Sequence, residues 1–78
     1  MKVYGITLGR NRSIVAARST VAAAKAFDIS TYLAKTYACE TGNEEEIELA
    51  MKEPGQVFAQ SLREGHSAQW IKVERHYS

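Results

Sequence analysis

The chain has 78 residues, which is enough for one domain and too few for two. With 45% hydrophobic and 24% charged residues, its composition is that of a globular protein and excludes a disordered or fibrous one. No apolar run approaches the roughly 18 residues of a membrane span, and the first residues lack the features of a signal peptide. We therefore expect neither a membrane segment nor secretion.

The net charge of +1 conceals an uneven distribution of charge along the chain. Residues 1–38 hold six basic residues against one acidic residue, whereas residues 39–64 hold seven glutamates against two basic residues. Such asymmetry bears on partners rather than on fold. The alternative is that both sets of charges are solvated faces.

Two strands are predicted at the start of the chain. The segment KVYGITL (2–8) alternates larger and smaller side chains with the period of a β-strand. The segment GRNR (9–12) predicts a turn, and the β-branched, apolar run from Ile14 to Arg18 favours a returning strand. Together they predict a β-hairpin.

Two short helices follow the hairpin. Ser19 or Thr20 supplies an N-cap for an alanine-rich helix, which pauses at Asp28. The second helix carries Tyr32 and Tyr37. The pair is predicted to end before the acidic part of the chain.

A third helix is predicted between Asn43, its N-cap, and the helix-breaking pair Pro54-Gly55. The glutamates at 44–46 lie in its first turn, where the helix dipole favours negative charge. Its apolar stripe, which we expect to face the core, has three members at helical spacing: Ile47, Ala50 and Met51.

The chain closes with a second predicted hairpin. QVFAQSL (56–62) and AQWIKVER (68–75) favour strands, and REGHS (63–67) favours the turn between them. The element order is ββαααββ, which predicts one α+β domain over residues 1–78. We expect its small antiparallel sheet to be covered on one face by the helical insert.

No constellation of residues typical of catalysis or of metal binding is found in the sequence. Cys39, the single cysteine, excludes an intramolecular disulfide, fits a reducing compartment and is expected to be a small buried residue. His66 and His76 lie ten residues apart, and neither forms a zinc pattern with Cys39. We expect no enzymatic activity, no cofactor, no metal and no small-molecule substrate.

The first predicted turn carries two candidate partner-binding residues, Arg10 and Arg12. Two guanidinium groups this close suit a carboxylate or phosphate of a partner. No acidic residue lies within residues 1–20 to pair with them. The alternative is that Glu64 or Glu74, from the other hairpin, pairs with them across the sheet.

Aromatic residues supply further candidates, because exposed Tyr and Trp anchor interfaces. Trp70 lies in the last predicted strand and is a candidate for partner binding, with a place in the core as the alternative. Tyr4, in the first strand, is expected to be a core residue.

Residues 20–38 resemble a helix-turn-helix. Ala24 takes the place of the alanine at which the two helices of that family touch. The chain departs from the family at Asp28, which replaces the turn glycine, although Asp tolerates the left-handed conformation. The resemblance implies a reading helix whose hydroxyl, aromatic and basic groups contact DNA: Ser30, Thr31, Tyr32 and Lys35. In the second helix Ala34 stands where that family has a bulky aliphatic residue. The alternative is a structural helix pair that covers the sheet.

The chain as a whole is similar in type to short accessory proteins encoded by phages and prophages, with the segment from Glu40 to Phe58 its most idiosyncratic part. The resemblance implies a non-enzymatic protein, a monomer or small homo-oligomer, that binds a host protein or nucleoprotein complex stoichiometrically in the host cytosol. Anti-CRISPR and other anti-defence inhibitors are one kind of such protein. The alternatives are a small DNA-binding regulator of helix-turn-helix type and a prophage protein of structural or unknown role.

Overall fold

A computed structural model describes residues 1–9, 11–61 and 70–73 of the chain. The predicted turn at 63–67, Arg10 and half of the predicted last strand (68–69 and 74–75) lie outside the described residues. The elements run in the order β1 Lys2–Leu8, β2 Asn11–Ala17, α1 Thr20–Phe27, α2 Thr31–Tyr37, β3 Cys39–Glu40, α3 Glu44–Lys52, β4 Val57–Ser61 and β5 Ile71–Val73. The predicted α+β class and the order ββαααββ are confirmed, with the short strand β3 added between α2 and α3.

The described strands form one antiparallel sheet in the order β3-β1-β2-β4-β5. Leu8 pairs with Asn11, so only two residues connect β1 to β2, and Gly9 has the positive φ of 61° that such connections favour. The predicted turn at 9–12 is therefore too long. Asn11 and Arg12 belong to β2, because they pair with both β1 and β4.

The edge strand β3 corrects the prediction for Cys39. After α2 the chain returns to the sheet, where Cys39 pairs with Gly5 and Glu40 pairs with Tyr4. Cys39 is exposed in this strand rather than buried as a small packing residue. The residues around Cys39 carry no strand pattern, so a strand of only two residues could not be predicted from the sequence.

Helices cover both faces of the sheet, not one as predicted. Ala50 of α3 packs on one face, and Ala23 of α1 packs on the other. The physical reason lies in Ile14–Ala17, four consecutive residues of β2 that are all buried. Successive strand residues point to opposite faces, so a continuous buried run needs cover on both.

Alternate residues of the same strands build two separate core clusters. The cluster on the α3 side consists of Val3, Ile14, Ala16, Ala50 and Phe58. The cluster on the α1 side consists of Tyr4, Val15, Ala17, Ala23 and Val57. The prediction that Tyr4 is a core residue is confirmed.

The helix termini follow the predicted capping. Of the two predicted candidates, Ser19 is the N-cap of α1, and its Oγ accepts a hydrogen bond from the backbone N–H of Ala22 at 3.2 Å. Asn43 caps α3 through Oδ1, which accepts from the N–H of Glu46 at 3.1 Å. Helix α3 ends at Lys52, two residues before Pro54, which cannot continue a helix.

Candidate functional site

The connection between α1 and α2 turns through Asp28, which adopts the left-handed conformation at φ 61° and ψ 44°. Its backbone N–H bonds to the carbonyls of Ala24 and Lys25, which closes the end of α1. Asp and Asn enter this region more readily than other side chains with a Cβ. Asp28 therefore has the left-handed conformation that it was expected to tolerate, and whether the helix pair contacts DNA stays a prediction.

Helix α2 is oriented by Ala34, which is fully buried in its middle. The exposed side chains of the helix then form the surface that it presents to solvent. We call the exposed residues Tyr32, Leu33, Thr36 and Tyr37 the α2 outer face. Tyr32 is 76% exposed, Tyr37 56% and Leu33 40%, which is a large exposed apolar area for a helix of 7 residues.

Two hydroxyl groups near α2 are occupied by the helix itself. Ser30 is its N-cap, and its Oγ accepts a hydrogen bond from the backbone N–H of Leu33 at 3.1 Å. The Oγ1 of Thr36 donates to the carbonyl of Tyr32 at 2.9 Å. Lys35, predicted to contact DNA, is exposed beside the outer face. The tyrosines, Leu33 and Lys35 remain as the exposed groups that α2 offers to a partner, whereas Thr31, predicted to contact DNA, is only partly exposed.

A second cluster of polar residues lies between the sheet and α3. Arg12 Nε donates to Glu46 Oε2 and Arg12 Nη2 donates to Glu46 Oε1, both at 3.0 Å. Arg12 Nη1 donates to Thr7 Oγ1 at 3.1 Å, and Thr41 Oγ1 donates to Glu46 Oε1 at 2.6 Å. We call these four side chains, Thr7, Arg12, Thr41 and Glu46, the Arg12–Glu46 clasp.

Gly5 makes room for the clasp. The side chain of Arg12 lies so close over Gly5 that a Cβ built there would be 2.8 Å from Arg12 Cζ. Real Cβ atoms do not approach a neighbour this closely. A glycine at this position lets the guanidinium group lie flat on the sheet and reach Glu46 from β2.

The clasp shifts the pKa of both charged partners. The hydrogen bonds from Arg12 and, after them, from Thr41 lower the pKa of Glu46, against the opposing effect of its burial. The hydrogen bond to Glu46 raises the pKa of Arg12. Both groups are therefore held in their charged forms. Each satisfies the other, so the clasp is a structural link rather than an open binding site.

The clasp corrects the reasoning that made Arg12 a candidate for partner binding. Arg12 was expected on an exposed turn without an acidic partner nearby, but it lies in β2 and is paired with Glu46 of α3. The alternative partners, Glu64 and Glu74, lie outside the described residues, as does Arg10. Whether Arg10 binds a partner stays a prediction.

Trp70 has a partly buried position on the α3 side of the sheet. It packs against the cluster that contains Phe58 and Ala50. The alternative prediction, that Trp70 belongs to the core, therefore holds for the buried part of its side chain. Its predicted role in partner binding stays a prediction.

The glutamate that matters most for the structure was not among the predicted site residues. Glu46 was explained by the helix dipole alone, but among the described residues it is the one charged residue that is buried. A signal existed in the sequence, because Glu46 and Ala50 lie four residues apart and so share a helix face. Ile47 and Met51 are larger apolar residues, so their side of the helix was predicted to face the core instead.

Described residues offer neither a metal centre nor a membrane span. Within the part of the chain that the structure describes, no three His, Cys, Asp or Glu side chains are grouped to hold a metal ion. His66 and His76 lie outside that part. Within the same residues, no helix has the length and apolar character needed to cross a membrane.

Comparison of the chain with family models, with curated proteins and with solved structures finds no match.

Proposed function

We propose that this chain is a non-enzymatic accessory protein of the phage type, which acts in the host cytosol by stoichiometric binding to a host protein or nucleoprotein complex. Inhibitors of host defence, of the anti-CRISPR kind, are the proposed class. The observation that carries the proposal is the α2 outer face, where Tyr32 and Tyr37 are 76% and 56% exposed.

Exposed tyrosines of this kind support binding to a protein. A tyrosine buries a large area at the loss of few rotatable bonds and can form a hydrogen bond through its hydroxyl, so it is enriched among the residues that dominate binding energy. Leu33 adds aliphatic surface, and Lys35 adds a charge at the rim. Ala34, in the middle of α2, is fully buried, so the face belongs to a helix that is packed against the rest of the domain.

A small DNA-binding regulator is the second candidate, and the left-handed conformation of Asp28 favours it. Two observations weigh against it. The hydroxyl group of Ser30 caps α2, which leaves it less free to contact a phosphate. The net charge of +1 also gives little long-range attraction to DNA.

The proposal is tested by capturing the partner from a bacterial lysate, purifying it and measuring affinity by calorimetry. We expect Tyr32→Ala/Tyr37→Ala to weaken binding by at least about tenfold, which corresponds to about 1.4 kcal/mol. Ile71→Ala is the matched control, since Ile71 is a large apolar residue that is 63% exposed on β5. Equal affinities for the tyrosine variant and the wild type would exclude the α2 outer face.

A second experiment separates protein binding from DNA binding. Ser30→Asp keeps an N-cap but adds a negative charge at the start of α2. A DNA reader would bind duplex with affinity that falls steeply with salt, by a slope of about −0.9 per neutralised phosphate, and this variant would abolish binding. We expect no duplex binding by the wild type at physiological salt. Tight, sequence-selective binding that is lost in Ser30→Asp would establish the second candidate instead.

A further inference from the structure

Helix α3 presents two of its large apolar residues, Ile47 and Met51, to solvent and a carboxylate to the core, whereas Leu49 packs partly buried against the core. Glu46 and Ala50 are the buried residues of this helix. Ile47 and Met51, which were predicted to face the core, are 37% and 44% exposed. The prediction of an inward stripe from Ile47, Ala50 and Met51 is therefore wrong for two of its three members.

The Arg12–Glu46 clasp accounts for this orientation. Each residue of an α-helix is rotated by about 100° from the one before it. Turning α3 far enough to bury Ile47 would withdraw Glu46 from both nitrogens of Arg12 and from Thr41, which lie 2.6–3.0 Å from its carboxylate oxygens. An unpaired carboxylate under the sheet would be costly, so the clasp holds Ile47 and Met51 on the outside.

One contiguous surface results on the outside of α3. Positions i, i+3, i+4 and i+7 share a helix face. We call the face formed by Glu44, Ile47, Glu48 and Met51 the α3 outer face. All four residues are exposed. It combines two apolar side chains with two carboxylates.

The carboxylates of this face are available to a partner. Of the other acidic residues on or beside α3, Glu45 lies outside this face, Glu46 is bound by Arg12, and Glu53 forms an ion pair with Lys72 at 2.6 Å. Among the described residues, neither Glu44 nor Glu48 has an ion-pair partner within 4.0 Å. Their charge is therefore directed to solvent.

We propose that the α3 outer face is a docking surface for a cationic protein surface, one on which arginine or lysine side chains surround an apolar pocket. Charge complementarity decides the occupant, because carboxylates pair with guanidinium groups in two-pronged hydrogen bonds and repel phosphates. Ile47 and Met51 fill the pocket, and the unbranched Met51 adapts to its shape. This surface is separate from the α2 outer face, since α2 packs against α1, and α1 lies on the opposite face of the sheet from α3.

The test uses the full chain, labelled with ¹⁵N, and a synthetic helical peptide with leucines at i, i+3, i+4 and i+7 flanked by arginine and lysine. We expect the peptide to shift the amide signals of α3 and to leave those of α2 unchanged. Glu44→Gln/Glu48→Gln and Ile47→Ala/Met51→Ala should each weaken binding at least about tenfold at physiological salt. Both variants alter exposed side chains, and circular dichroism checks that they are folded.

Glu40→Gln/Glu45→Gln is the matched control, because it removes the same charge from exposed positions outside the α3 outer face. Its affinity should stay within threefold of the wild type. The proposal is overturned if α3 signals do not move, if a peptide of the same composition in scrambled order binds equally well, or if control and test variants lose affinity alike. It is also overturned if sedimentation shows that wild-type copies associate through this face and that Ile47→Ala/Met51→Ala makes them monomeric.

Discussion

At the scale of single residues, the position of the Arg12 side chain depends on what is missing from Gly5. The strand register places Thr7 opposite Arg12 and Gly5 opposite Ile14, so Gly5 lies diagonally from Arg12 on the same face of the sheet. Without a side chain at Gly5, the guanidinium group lies over the strand and reaches α3. A glycine in a strand often marks such a close approach.

Gly5→Ala is expected to destabilise the protein. The new methyl group would displace the guanidinium of Arg12 and lengthen its hydrogen bonds to Glu46, so we expect a loss of about 1–3 kcal/mol in the free energy of unfolding. Urea denaturation measures this loss. Gly42→Ala is the control, since no atom lies within 4 Å of a Cβ built at Gly42 and its φ is not in the left-handed region. Similar losses in both variants would contradict the explanation.

Glu46 is expected to make stability depend on pH in the acid range. Its pKa is lower in the folded protein than in the unfolded chain, where Glu titrates near about 4.3. Its contribution is therefore complete above the unfolded pKa and is lost as the pH falls through the folded pKa. Glu46→Gln should flatten the fall in unfolding free energy between about pH 5 and pH 3. Parallel curves for wild type and variant would show that the clasp does not contribute this pH dependence.

Sequence patterns relate residues that are close together in the chain, so they predict the positions of some of these residues and not of others. Tyr4 could be predicted as a core residue, because strand alternation and large size both indicate burial. The pair of Arg12 and Glu46 joins residues 34 positions apart, and no local pattern relates them. Cys39 was placed wrongly for the same reason, since its partner Gly5 belongs to the first strand.

At the scale of elements, the helix pair depends on its serine caps. Ser30 accepts a hydrogen bond from the first turn of α2, a helix of only 7 residues that has little stability of its own. Ser19 does the same for α1. The cap at Ser19 was predicted, because a serine there precedes the alanine-rich pattern. Ser30 was instead expected to lie on the second helix as a DNA contact, and the structure makes it the N-cap.

Ser30→Ala is expected to lower the free energy of unfolding by about 0.5–2 kcal/mol, because the N–H of Leu33 loses its acceptor. Ser30→Asp should retain most of the stability, since Asp also caps a helix and favours the positive end of its dipole. Thermal unfolding followed by circular dichroism measures both variants. An Ala variant as stable as the wild type would mean that water replaces the serine hydroxyl at this terminus.

The rotation of α3 shows where prediction from an isolated element fails. Its limits and its cap follow from Asn43 and Pro54, which act on the local backbone. Its inward face does not follow from hydrophobic periodicity, because an ion pair from another element outweighs the apolar stripe. A buried carboxylate can direct a helix only if the rest of the fold supplies its cation.

At the scale of the whole molecule, the two helical layers share their strands. Ile14 and Val15 are neighbours in β2, yet the first belongs to the core cluster on the α3 side and the second to the cluster on the α1 side. Disruption of the sheet therefore removes the support of both helical layers at once. We therefore expect the domain to unfold in one cooperative step.

Val15→Ala provides the test of this coupling. Val15 is fully buried on the α1 side, whereas Trp70, the single tryptophan of the chain, packs on the α3 side. We expect the variant to lose about 1–3 kcal/mol, with the same urea midpoint from Trp70 fluorescence and from circular dichroism. A fluorescence midpoint that stays at the wild-type value would show that the two layers unfold separately.

The class and order of elements were predictable because each strand and helix carries its own periodicity and breakers. The second covered face was not predicted, although the run Ile14–Ala17 contained the information, since a continuous apolar run is typical of a strand that is buried on both faces.

Two contacts of the fold differ greatly in their separation along the chain, which bears on the kinetics of folding. Arg12 and Glu46 are 34 residues apart, whereas β1 and β2 are joined through only two residues. A hairpin closes within about 1–10 μs, whereas contacts between distant residues must wait for the closure of a long loop. We therefore expect the β1–β2 hairpin to form early and the clasp to close after the transition state. An interaction of that kind has little influence on the refolding rate but lengthens the lifetime of each folded molecule. We therefore expect the clasp to lower the rate of unfolding.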